Sequence, residues 1–252
     1  MTPLDRIVRG KWPTRALVSV GLLLPLALIT VTIIQPFTDP RWLYFDPLTA
    51  AEMAPECCRV YFGFMSMLGI KMWTMTAAVC LFSALMLFLT NLSPALMRFA
   101  TFAGLLTGWL ALDDAFLIHE NILPALGVPQ NAVLVTYGLL GLGYLWMARR
   151  YLKSIEGVFF LGAGMGFVVS VAIDVIIHSV ETNAIVAEDG AKFFGIWCWM
   201  IFNGAVLARG LIFEDMAIGL PGEKDDVAAF HADAESDVPD NDEATDANRK
   251  AA

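Results

Sequence analysis

Residues 72–89 read MWTMTAAVCLFSALMLFL, a run without a single charged residue. An α-helix rises about 1.5 Å per residue, so roughly 20 apolar residues are enough to cross the ~30 Å hydrocarbon layer of a bilayer. Similar runs recur along the chain. Together they predict an all-α integral membrane protein with six transmembrane helices in a bundle, at about residues 16–34, 72–89, 96–118, 132–147, 158–177 and 191–211.

The composition supports the membrane assignment. The chain is 58% hydrophobic and only 16% charged, and its mean hydropathy is +0.64. A soluble domain normally has about 25% charged residues. The first apolar run has no small-residue cleavage site before Gln35-Pro36, so we interpret it as a membrane anchor and not as a removed signal peptide.

The net charge of −9 lies mainly in the C-terminal tail. Residues 223–252 hold ten acidic and three basic residues, and the rest of the chain is nearly balanced. This Ala/Asp/Glu-rich composition predicts an acidic disordered tail over residues 213–252. No basic surface indicates nucleic acid as a partner.

Lysine and arginine predict the orientation, because positive residues favour the cytoplasmic ends of spans. One set of span ends carries nine of them, Arg6, Arg9, Lys11, Arg15, Arg98, Arg149, Arg150, Lys153 and Arg209, and the other set carries four, Arg41, Arg59, Lys71 and Lys192. Both termini are therefore expected in the cytoplasm of a bacterium, with the chain in the inner membrane. Three loops would then face the periplasm, at about 35–71, 119–131 and 178–190, and aromatic residues of the first, such as Trp42, Tyr44, Tyr61 and Phe62, suit the headgroup region.

Cysteines and glycines in the apolar runs have structural interpretations. Cys80 and Cys198 are predicted to be buried thiols. The vicinal pair Cys57-Cys58 lies in a polar loop, where free thiols or partners elsewhere are favoured over a mutual bridge. Two small-residue pairs, Gly104/Gly108 and Gly162/Gly166, have the four-residue spacing of close helix packing.

Polar residues gather at the predicted outer ends of several spans. Residues 112–120 read LDDAFLIHE, so two carboxylates, an imidazole and a third carboxylate occur where a helix leaves the lipid. Other spans contribute acids at equivalent positions. The predicted cluster comprises Lys71, Asp113, Asp114, His119, Glu120, Asp174, His178, Glu181, Glu188, Asp189 and Lys192.

Helical spacing places parts of this cluster on common faces. Asp174, His178 and Glu181 are spaced i, i+4, i+7 and form one stripe, and Glu188 and Lys192 are one turn apart. On an ideal helix Asp114 and His119 point about 140° apart. His119 therefore joins the cluster only if the helix ends or bends close to it.

The charges of the cluster indicate a site. A carboxylate at a helix centre costs on the order of 2.5–3.5 kcal/mol, and less near the interface. Protonation, pairing with Lys71 or Lys192, or a bound cation would offset that cost. Seven carboxylates face two lysines and two imidazoles, a composition that suits a divalent metal such as Zn, Mn or Fe. The metal hypothesis takes His119, His178, Asp114, Asp174 and Glu181 as ligands, and haem b held by the two histidines is a weaker alternative.

Two segments carry a resemblance. The Asp-Asp-x₄-His-Glu pattern in LDDAFLIHE and the Glu-Asp-x-x-Lys pattern in EDGAKFFGIWCW, residues 188–199, resemble segments of uncharacterised multi-pass bacterial membrane proteins over about residues 61–211. This resemblance implies that His119, Glu120, Glu188 and Lys192 belong to one pattern, and it implies no activity.

A more distant similarity is with the membrane hydrolase superfamily that includes alkaline ceramidases. Those enzymes hold zinc with three histidines and an aspartate near one membrane face, and this chain is similar in placing His and Asp at span ends. It departs from them in its six predicted spans, in the absence of a His-x-x-x-His pair and in having only two usable histidines. These differences argue against ceramidase activity itself.

Three functions follow from the sequence. The first is a metal-dependent membrane enzyme that acts on a lipid-like substrate, with Glu120 or Glu188 as general base and Lys192 stabilising negative charge. The second is a non-catalytic subunit or assembly factor of a membrane complex, in which the cluster is structural. The third is an ion or proton pathway. The expected partners are membrane lipids, with a membrane protein or a second copy of the chain in addition.

Overall fold

The computed structural model describes residues 11–55, 59–154, 156–177 and 181–212. These belong to the first of two compact units, which ends at Ile212. The predicted tail over 213–252, Cys57-Cys58 and His178 lie outside the described residues. Within the described part the chain is helical and forms no strand, which confirms that the fold is all-α.

Six long helices and four short elements follow one another along the chain. They are α1 (Lys11–Ile34), α2 (Arg41–Tyr44), α3 (Pro47–Met53), α4 (Phe64–Leu89), α5 (Pro94–Phe116), a π-helical turn (Ile118–Ile122), α6 (Leu123–Ala125), α7 (Gln130–Ala148), α8 (Gly157–Ile177) and α9 (Thr182–Ile212).

Four of these helices have the length and composition of membrane spans: Phe64–Leu89, Pro94–Phe116, Gly157–Ile176 and Thr182–Leu211. The other two apolar segments among the described residues, Val18–Ile34 and Ala132–Ala148, are shorter. The chain therefore has the helices of a multi-pass membrane protein. The number of six spans stays a prediction.

Two helices begin earlier than the hydropathy pattern predicts. Helix α4 starts at Phe64, directly after Gly63, whose φ of 67° breaks the preceding chain. Helix α9 starts at Thr182, so Glu188 and Asp189, which precede the predicted span at 191–211, lie inside the helix. The uncharged runs are shorter than the two helices. A helix can continue through a polar residue where that residue has a partner or lies on an exposed face.

Helix α9 is the centre of the bundle. It packs against α8 and α4, and it also contacts α1, α2 and α5. Small residues permit the α8–α9 approach: a Cβ at Gly166 would lie 2.7 Å from the backbone of Gly195 and from the carbonyl oxygen of Ala191. A Cβ at Gly104 would lie 2.7 Å from Leu81 of α4. The packing role predicted for these glycines is confirmed.

Replacing Gly166 with alanine is expected to destabilise the protein by roughly 1–3 kcal/mol, because the added methyl group meets backbone atoms that cannot rotate away. The measurement is equilibrium unfolding in mixed micelles. Gly164→Ala is the matched control, since a Cβ there has no neighbour within 4 Å. Equal stability of the two variants would contradict this packing.

The middle of the bundle is aromatic and contains a small hydrogen-bond network. Trp199 donates from Nε1 to Thr107 Oγ1 over 3.0 Å. Tyr144 donates to Asn203 Oδ1 over 2.7 Å, and Asn203 Nδ2 donates to the carbonyl oxygen of Trp199. Each of these polar groups is thereby satisfied within the apolar interior. Cys80 and Cys198 are buried free thiols, as predicted.

The loop between α1 and α4 packs aromatic residues together. Trp42 stacks on Phe62 with ring centroids 5.5 Å apart, and Tyr61 contacts Phe62 edge-on. Tyr44 does not share this position. It is buried and its hydroxyl bonds Thr32 Oγ1 over 2.7 Å, so Tyr44 packs inside the bundle; the headgroup position expected for the aromatic residues of this loop stays a prediction.

Candidate functional site

The site begins where helix α5 breaks. The helix ends at Phe116, and Leu117 then adopts the left-handed conformation with a φ of 51°. A π-helical turn follows over Ile118–Ile122. A non-glycine residue with positive φ is uncommon, and π-turns occur frequently at functional sites. The break provides the bend that His119 requires to reach the carboxylates.

His119 folds back onto Asp113. Its backbone N–H donates to Asp113 Oδ1 over 2.9 Å, and its ring Nδ1 lies 2.6 Å from Asp113 Oδ2. The Asp113 side chain is 3% exposed and the His119 side chain 15% exposed. An ionised Asp113 accepts both hydrogen bonds, which fixes the ring orientation and places the hydrogen of a neutral imidazole on Nδ1.

The other ring nitrogen faces a second carboxylate. His119 Nε2 lies 3.4 Å from Glu120 Oε1, and the Glu120 side chain is 47% exposed. Burial lowers the pKa of His119, but the hydrogen bond to Asp113 and the charges of Asp113 and Glu120 outweigh burial and a smaller opposing effect of Lys192. The pKa of His119 is therefore raised above its ordinary value of 6.5.

This raised pKa predicts a pH-dependent stability. The folded state binds the His119 proton more tightly than the unfolded state, so the contribution is complete below about pH 6.5 and is lost as pH rises through the folded-state pKa. Thermal unfolding in detergent across this range should show the loss. Asp113→Asn should flatten the slope in that window, and an unchanged slope in this variant would contradict the assignment.

Asp114 holds a second pair. Lys192 Nζ donates to Asp114 Oδ1 over 2.8 Å, and Trp73 Nε1 donates to Asp114 Oδ2 over 3.0 Å. The Asp114 side chain is 13% exposed and the Lys192 side chain 36%. One carboxylate thus connects α4, α5 and α9. The pairing with Asp114 suggested for Lys71 belongs to Lys192, because Lys71 lies on an exposed face of α4.

A small cavity adjoins this pair. Its volume is about 30 Å³, and Asp114, Asp189 and Lys192 line it together with residues of α4 and α9 such as Met65 and Phe193. A cavity of this size holds roughly one or two water molecules. A larger substrate must therefore approach from elsewhere, and His119 with the exposed Glu120 is the accessible part of the site.

The predicted site residues divide into three groups. His119 with Glu120, and Asp114 with Lys192, come together as described. Asp174 lies half-buried in α8, Glu188 half-buried in α9, and Glu181 exposed just before α9. His178 lies outside the described residues. Among the described residues no three His, Cys, Asp or Glu side chains could hold a metal ion together, so the metal set stays a prediction.

The sequence places Asp113 in the cluster but assigns it no role, and it does not identify Trp73 at all. On an ideal helix Asp113 and His119 point about 120° apart, so their contact depends on the break at Leu117. Leucine has no preference for positive φ, and nothing in the pattern marks the break. Trp73 is 41 positions away from Asp114 in the sequence, so their contact depends on how α4 packs against α5 and has no local sequence signal.

These features define a helical membrane protein with a buried His/carboxylate site at one end of its bundle. The chain belongs to a family described as a domain of unknown function (DUF8692), whose model matches residues 16–205. The matched range includes both pairs of the site. No curated protein and no solved structure matches the chain.

Proposed function

We propose that the protein is a membrane-embedded enzyme in which His119, oriented by Asp113, transfers protons to or from a lipid-like substrate. The observation that carries this proposal is the double hydrogen bond between Asp113 and His119. A carboxylate on Nδ1 orients the imidazole and stabilises its protonated form, which leaves Nε2 to act as general base and then as general acid.

The backbone supports a functional reading of this pair. Leu117 in the left-handed region and the following π-turn each cost free energy, and such features cluster at functional sites. Their effect on the chain is to bring His119 back to Asp113. A site serving only to end the helix would not require this geometry.

Neighbouring charges provide further roles. Glu120 lies within 3.4 Å of His119 Nε2 and is exposed enough to meet a substrate or to share a proton. Lys192 is held by Asp114 and supplies positive charge that favours a developing anion nearby. Glu188, one turn before Lys192, remains an alternative base.

The substrate class follows from the location. The pair lies at the end of a helix long and apolar enough to cross a membrane. The small cavity beside Lys192 does not admit a large substrate. A molecule with its apolar part in the bilayer and its reacting group at the membrane surface reaches His119 without entering the bundle.

A metal-dependent form of the same chemistry remains part of the proposal. Its ligands to Zn, Mn or Fe would be those predicted from the sequence, His119, His178, Asp114, Asp174 and Glu181, with Glu120 left as a base. A bound cation would polarise a substrate oxygen or lower the pKa of a water. Metal analysis and an absorption spectrum of the purified protein distinguish this form and haem b from a metal-free acid–base site.

We further propose six spans with both termini in the cytoplasm of a bacterium and the polar site on the periplasmic side of the inner membrane. The distribution of Lys and Arg supports this orientation. Reporter fusions after residues 127 and 212 test it, since the first should report the periplasm and the second the cytoplasm.

The test of function compares the lipids of cells that produce equal amounts of the wild-type protein and of His119→Gln. A general acid–base residue contributes on the order of 100-fold to 10,000-fold, so His119→Gln should accumulate a lipid that the wild type consumes. His231→Gln, in the acidic tail, is the matched control and should give the wild-type lipid profile. Identical profiles for wild type and His119→Gln would contradict the enzyme proposal.

A second candidate function is a non-catalytic subunit or assembly factor of a membrane complex. The observation that favours it is the internal pairing of Asp114 with Lys192 and Trp73, which connects three helices. This function predicts a stable partner after gentle extraction, a membrane protein or a second copy of the chain. It also predicts that His119→Gln leaves the lipid profile unchanged while deletion of 223–252 reduces the complex.

A further inference from the structure

An apolar groove lies on the lipid-facing side of the bundle, between α1, α8 and α9. Its volume is about 560 Å³, within the range of about 300–1,000 Å³ that small-molecule sites occupy. Its walls include Leu26, Ile33, Met165 and Val169, which are 45–69% exposed. The groove is therefore open to the hydrocarbon layer.

The groove has one polar end. Thr182, Asn183 and Pro40 line it there, and Thr182 Oγ1 donates to Asp39 Oδ1 over 3.1 Å. Polar groups at the start of α9 and in the loop after α1 suit the headgroup level of a bilayer. The opposite end, at Phe194, is apolar.

The length of the groove matches one leaflet. Thr182 and Phe194 are separated by twelve residues of α9, which is about 18 Å along a helix. Half of a ~30 Å hydrocarbon layer is about 15 Å. A transmembrane helix of a partner would run through the whole thickness of the layer, whereas the groove runs along about half of it.

We infer that this groove binds one acyl chain of a membrane phospholipid, with the headgroup beside Pro40 and Thr182. The floor of the groove is formed by small residues of α9, Ala187, Gly190 and Ala191, which leave room for the chain. Burial of each methylene stabilises such a complex, and the polar end restricts the headgroup to the membrane surface.

This lipid site is separate from the proposed catalytic site. On α9 the groove residues Val186, Gly190 and Phe194 point on average roughly 130° away from Asp189 and Lys192. The lipid therefore binds at the surface of the bundle, and its binding does not depend on any activity of His119.

The experiment uses the full chain in nanodiscs that contain phosphatidylglycerol with a photoactivatable diazirine near the end of one acyl chain. Peptides containing Met165 and Phe194 should be labelled several-fold more than the peptide around Leu142, which is exposed outside the groove and lies, like Phe194, twelve residues from the start of its helix. Ala187→Phe, at an exposed position, should fill the groove and reduce this labelling several-fold. Val168→Phe on the same surface of α8 should leave the labelling unchanged.

Native mass spectrometry provides the second measurement. The wild-type protein should retain one phosphatidylglycerol molecule that Ala187→Phe loses. Labelling of the groove no stronger than that around Leu142, or insensitive to Ala187→Phe, would overturn the inference. Protection of the groove from the probe in a dimeric protein would also overturn it, because the occupant would then be a helix of a second copy.

Discussion

Asp114→Asn is expected to reduce the free energy of unfolding by about 2 kcal/mol. The variant keeps an acceptor for Trp73 but leaves the charge of Lys192 without its carboxylate in a low-dielectric setting. Removing one partner of a fully buried pair costs roughly 3–5 kcal/mol, and the exposed third of the Lys192 side chain reduces that figure here. Equilibrium unfolding in mixed micelles measures the loss.

The matched control is the double variant. Lys192→Met removes the unpaired charge, so adding it to Asp114→Asn should restore part of the lost stability. Lys71→Met removes an exposed lysine from α4 and should change stability little in either background. If Lys192→Met and Asp114→Asn contribute additively, the two side chains do not form the pair described.

Asp113→Asn is expected to lower the turnover of the lipid identified by the His119→Gln comparison by on the order of 100-fold or more. The side-chain amide of the asparagine is neutral, so it no longer stabilises the protonated imidazole of His119. It also permits the tautomer with the hydrogen on Nε2. The pKa of His119 should fall, so the pH–rate profile of the variant should shift to lower pH. Glu120→Gln is the comparison, because Glu120 contacts Nε2 and leaves the orientation of the ring by Asp113 intact. A turnover equal to that of the wild type would exclude Asp113 as a positioning residue.

The helical membrane class could be predicted from the sequence because burial in lipid requires long uncharged runs, and these are visible in one dimension. The starts of α4 and α9 could not be predicted in the same way. Lys71 and Glu188 interrupt the hydropathy of their segments, yet the helices extend through them. Hydropathy reflects the free-energy cost of placing a charge in lipid. It does not show whether the charge has a partner or lies on an exposed face of the helix, either of which lowers that cost.

The sequence predicted which residues belong to the candidate site, but it did not predict which of them contact each other. Asp114, His119, Glu120 and Lys192 were identified from their position at the ends of spans. The contact of Lys192 with Asp114 links residues 78 positions apart and depends on the packing of α5 against α9. The role of Asp113 depends on a backbone break at a leucine, for which the sequence has no local signal.

The most direct test of the Asp113–His119 assignment is the NMR titration of His119 in the purified protein. The chain has three histidines, so His178→Gln and His231→Gln leave His119 as the single reporter. We predict a pKa of His119 above 6.5 that falls when Asp113 is replaced by asparagine. A pKa at or below 6.5, or one that Asp113→Asn does not change, would contradict it.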